Sequence, residues 1–136
     1  MKKYFNNSTL YTSIAFVVYF LIDIYDGFNL VSRTVDVWNI INIVKSVLFI
    51  TVILFFNRFT YISNRNKLFS KQAGQLWWYT GLVFLMIGLL CFVEARFNNG
   101  PIILFAGCMF LMTFCFAMRT IFNDAVSLKD ENDLTI

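Results

Sequence analysis

Long uncharged apolar runs and short polar interruptions alternate four times along the chain. The first run, at about residues 4–22, follows Met1, Lys2 and Lys3 and meets Asp23, Asp26 and Gly27. The second, at about 38–56, is broken only by Lys45 and ends at Asn57 and Arg58. The third, at about 75–94, meets no charge before Glu94; the fourth, at about 101–121, begins at Pro101 behind Asn98, Asn99 and Gly100. A helix needs roughly 20 apolar residues to cross a hydrocarbon core about 30 Å thick, and each run is near that length. The pattern predicts an all-α integral membrane protein, a four-helix transmembrane bundle in one domain spanning residues 1–136. The turn between the third and fourth runs is too short for anything but an antiparallel hairpin. Gly81 and Gly88, seven residues apart, share a helix face and are expected to let the fourth span approach closely, with Gly107 and Cys108 as its small surface.

Composition agrees with this reading. Apolar residues make up 59% of the chain and charged ones 14%, against about a quarter charged in a soluble domain. The first run has no small-x-small cleavage site before Asp23 and is rich in large side chains between residues 16 and 22, so it is expected to remain as a span. Basic residues then set the orientation. Lys2, Lys3, Arg58, Arg65, Lys67, Lys71, Arg119 and Lys129 fall on one side of the four spans, while only Arg33 and Arg96 fall on the other. The positive-inside rule places both termini, the connection 57–74 and the tail 123–136 in the cytoplasm, an N-in/C-in topology. Trp38 is expected at the outer interface, and Trp77, Trp78 and Tyr79 at the inner one.

The absence of histidine and the placing of Cys91, Cys108 and Cys115 inside apolar runs remove the usual general base and the usual metal ligands. The cysteines are expected to pack as small apolar side chains. Phosphate loops and hydrolase motifs are missing, and Ser13, Thr80 and Thr113 have no base within helical reach. No enzyme activity and no cofactor is therefore expected.

Two regions carry candidate chemistry. Lys45 lies inside the second span, where a charge costs about 2.5–3.5 kcal/mol on insertion scales. Asn39, Asn42 and Ser46 share one sector of that helix with Lys45 at its edge, and Glu94 and Asp23 are its possible partners. This outer seam reads either as a structural polar contact or as a small-solute site; the second reading requires water-filled volume between the second and third spans. The connection 57–74 interleaves Arg58, Arg65, Lys67 and Lys71 with Phe59, Tyr61, Ile62, Leu68 and Phe69. Such a segment is expected to lie on an anionic inner leaflet, and direct nucleic-acid binding is not expected of a piece tethered to the bilayer at both ends.

The chain closes with Leu128, then Glu131, Asn132, Asp133, Leu134, Thr135 and Ile136, behind four spans that fill nearly its whole length. On these residues it resembles the bacterial domain of unknown function 2975 family. The resemblance implies an inner-membrane protein, without an established activity, whose gene often neighbours a small helix-turn-helix regulator. A regulatory role through a protein partner is then the leading expectation, the partner being such a regulator or another membrane protein. Leu128, Glu131, Asp133, Leu134 and Ile136 are the candidate contacts, apolar anchors among acids. Solute transport at the outer seam and immunity to a membrane-active toxin are the alternatives.

Overall fold

The computed structural model describes residues 7–34, 36–66 and 70–134, all within or between four helices. These are α1 (Asn7–Arg33), α2 (Val37–Asn66), α3 (Lys71–Phe97) and α4 (Ile102–Leu134). All four are long and apolar enough to cross a membrane. No strand occurs among the described residues.

Every helix outruns its apolar segment. α1 passes through Asp23, Asp26 and Gly27, where the apolar run stops, and continues to Arg33. α2 continues beyond Arg58 to Asn66, so most of the expected loop 57–74 is helix, and Lys67 falls outside the described residues. A charge ends a hydrophobic run by raising the cost of immersion, but it satisfies the backbone ladder as well as any residue does. What ends these helices is local. Asp36 accepts from the Trp38 amide at the start of α2, and Ser70 accepts from the Ala73 amide at the start of α3. At the end of α3 the amides of Asn98 and Gly100 both donate to the Glu94 carbonyl, with Asn99 in the left-handed region at φ 51°. Asparagine tolerates that conformation better than most residues, which lets the chain reverse before Pro101.

Consecutive helices pack side by side, α1 on α2, α2 on α3 and, most extensively, α3 on α4. Phe84, Ile87 and Cys91 of α3 meet Cys108 and Cys115 of α4, with Leu48, Phe49 and Val52 of α2 closing the cluster. All three cysteines are buried and free. A second cluster holds Phe59, Ala73 and Phe122 against Trp77. Trp77 is thus drawn into the interior, edge-on to Phe59 and Phe114, whereas Trp78 lies beneath the Arg119 guanidinium at 4.1 Å. Trp77 and Trp78 meet different neighbours because residues 100° apart on α3 face different sides. α1 leaves most of its large apolar side chains exposed, among them Tyr11, Phe16, Tyr25 and Phe28, a surface suited to lipid.

Gly81 and Gly88 are the close-approach positions of α3. A Cβ on Gly81 would stand 2.5 Å from the Phe116 ring and 3.3 Å from the Cys115 Cβ, and one on Gly88 would stand 3.3 Å from the Cys108 Cβ. Gly107 corrects the expectation made for it: nothing lies within 4 Å of its Cβ position. Cys108 and Cys115, seven apart, supply the small face of α4, and Gly107 is rotated about 100° off it. Gly81→Ala is therefore expected to lower stability by about 1–3 kcal/mol through overpacking, and Gly107→Ala to leave it unchanged or slightly raised. Thermal unfolding of the two purified variants in one detergent checks this.

Candidate functional site

The helices give the molecule two chemically different ends. One carries Asp23, Asp26, Asp36, Trp38 and Glu94; the other carries Arg58, Lys71, Arg119 and the far part of α4. At the acidic end α2 lies between α1 and α3, and two neighbouring residues of α2 bridge to both. Ser46, buried, donates to the Asp23 carboxylate on α1, and Lys45 donates to the Glu94 carboxylate on α3. Lys45 stands about 12 Å along α2 from Val37, and Glu94 lies in the last turn of α3, where its own carbonyl is held by two amides. The ion pair keeps 13% and 18% of its side-chain surface.

A cavity of about 190 Å³ opens beside this bridge, lined by Asp23, Asn42, Lys45 and Ser46 together with Tyr19, Phe20, Phe49, Cys91, Leu104 and Cys108. It is bounded by α1, α2, α3 and α4, and the Lys45–Glu94 pair bridges α2 and α3 beside it. Asn39 does not line it. The partnership of Ser46 with Asp23 was not visible in the sequence, because it depends on how α1 is rotated against α2. Gly27 permits the close approach of the two helices there, its Cβ position being 2.7 Å from Ile43. Ser13 fixes the same interface farther along, donating to Asn57 Oδ1 at 2.9 Å.

At the basic end, Arg58 is exposed and lies over the Tyr61 ring at 5.6 Å, and Lys71 is exposed at the start of α3. The Arg65 side chain, Lys67 and Ile136 lie outside the described residues. α4 runs on past Arg119 as unbroken helix through Leu128, Glu131, Asp133 and Leu134. Leu128 is 63% exposed and Leu134 86%. A groove of about 530 Å³ joins this extension to the start of α3, lined by Lys71, Gln75, Arg119, Asn123, Val126, Ser127, Asp130, Glu131 and Leu134. Glu131 and Leu134 are brought together there, while Leu128 does not line the groove.

A third cavity, of about 380 Å³ and lined chiefly by Phe16, Phe55, Phe56, Phe59, Trp77, Phe84 and Phe114, has no charged side chain in its wall. Among the described residues no group of histidine, cysteine or acidic side chains is arranged to hold a metal ion.

Residues 4–136 match a family described as "Protein of unknown function (DUF2975)". No curated protein and no solved structure matches the chain.

Proposed function

The chain belongs to the DUF2975 family, and from that premise we propose that it is a non-enzymatic multi-pass protein of the bacterial cytoplasmic membrane that works through a cytoplasmic protein partner. The observation that carries this reading is the length and surface of α4. Its 33 residues extend about 50 Å, roughly 20 Å more than a hydrocarbon core needs. The excess projects from the end where the basic residues gather, which the positive-inside rule assigns to the cytoplasm. It carries Asp124, Asp130, Glu131 and Asp133 against the single Lys129, with Leu128 and Leu134 exposed among them. Apolar side chains at that exposure, outside the bilayer and ringed by acids, suit a partner with a basic rim and an apolar pocket. A small helix-turn-helix regulator, whose DNA-binding face is basic, is the partner that the family resemblance implies. The same end holds Arg58 and Lys71 toward anionic headgroups, each worth about 1 kcal/mol near the surface.

Truncation after Ser127 tests the reading. It removes no residue of either buried cluster, so the shortened protein is expected to insert and unfold like the full chain. Loss of Leu134 as a buried anchor is expected to weaken the partner by about 2 kcal/mol or more, roughly 30-fold. Retention of the partner by the truncated protein at unchanged affinity rejects the proposal.

A further inference from the structure

The cavity at the acidic end has a composition that the cytoplasmic reading does not use. Its charged lining is Asp23 and Lys45, and Lys45 is already neutralised by Glu94. Among the described residues Asp23 has no cationic partner, only the Ser46 hydroxyl. Three aromatic rings complete the wall: Phe20 and Phe49 stack at 5.2 Å between centroids, and Tyr19 stands edge-on to Phe20 at 5.4 Å. One uncompensated carboxylate beside aromatic rings attracts a cation twice over, by charge and by the ring quadrupole. Apart from the Asn42 amide, the remaining wall is Cys91, Leu104 and Cys108, which is apolar and suits alkyl groups in place of a hydration shell. A cavity of about 150 Å³ holds benzene, so about 190 Å³ holds a slightly larger molecule.

We propose that this cavity is a binding site for a small organic cation of the quaternary-ammonium class, with Asp23 as counter-ion, Tyr19, Phe20 and Phe49 as the aromatic wall, and Glu94 as the residue that keeps the Lys45 ammonium out of competition. Inorganic cations are disfavoured because the side chains of Asp23, Asn42 and Ser46 offer fewer oxygens than the roughly six a hard cation takes, and most of the remaining wall is apolar. Anions are disfavoured because Lys45 is engaged. Asp23 is exposed, so the site is not sealed within the bundle.

The test uses the full-length protein in nanodiscs of phosphatidylglycerol, which contribute no choline headgroup, and titrates choline against its neutral isostere 3,3-dimethylbutan-1-ol by calorimetry. Choline is expected to bind saturably and roughly tenfold or more tighter than the isostere. Asp23→Asn is expected to remove that difference. Glu94→Gln, which releases the Lys45 ammonium beside the cavity, is expected to weaken choline by a similar factor. Equal binding of the two probes by the unaltered protein overturns the proposal, as does absence of saturable choline binding. An Asp23→Asn protein that elutes as a single species and binds choline unchanged overturns it too. Should that variant not fold, the ratio of the two probes on the unaltered protein decides alone.

Discussion

Replacing Glu94 with leucine is expected to cost about 3 kcal/mol of stability, and replacing Lys45 and Glu94 together is expected to cost far less. The pair bridges α2 and α3 with little of either side chain exposed. Removing the carboxylate strands an ammonium in a low-dielectric interface, and a stranded charge of that kind typically costs about 3–5 kcal/mol. Removing both takes away the mutual attraction and both desolvation penalties at once, an exchange that is often neutral. Unfolding of the two single variants and the double variant in a common detergent gives the coupling directly. A double variant as unstable as the sum of the singles would mean that the two side chains do not interact.

This asymmetry bears on what the sequence makes visible. Lys45 and Glu94 were recognisable as a possible pair because both interrupt apolar runs near the same end of antiparallel helices, a matter of depth alone. Gly81 and Gly88 were recognisable because their spacing places them on one helix face whatever that helix touches. Rotational phase between helices is different. Ser46 meets Asp23 in an interface where Gly27 lets α1 close on Ile43, and Cys108 with Cys115, not Gly107, forms the small face of α4 because α3 approaches from that side. Nothing in the periodicity of one helix reports the azimuth of its neighbour. Helix ends lie beyond the apolar runs for a second reason. The apolar run measures immersion in hydrocarbon, whereas α2 and α3 begin at the caps Asp36 and Ser70 and α3 stops where the Asn98–Gly100 turn takes over the backbone bonds. The meeting of Tyr19, Phe20 and Phe49 with Asp23 depends on the same azimuth and is not legible in the pattern of one helix.

Reporter fusions are expected to divide in an all-or-none way. A fusion after Ile136 is expected to be active as a cytoplasmic reporter and silent as a periplasmic one, and fusions near Arg33 are expected to reverse both results. The basis is the imbalance of eight basic residues on one side against two on the other. An inverted pattern would place the α4 extension and its acids outside the cell, where no cytoplasmic regulator reaches them.

The central claim, that a cytoplasmic protein docks on the end of α4, is tested most directly by photo-crosslinking in living cells from a reactive residue placed at Leu134, with Phe110 as the control. Both side chains are exposed, at 86% and 71%, but Phe110 lies within the apolar part of α4. A discrete protein adduct is expected from Leu134 and none from Phe110, with a captured partner whose binding to the purified protein weakens as salt is raised. No protein adduct from Leu134, or the same adducts from both positions, would contradict it.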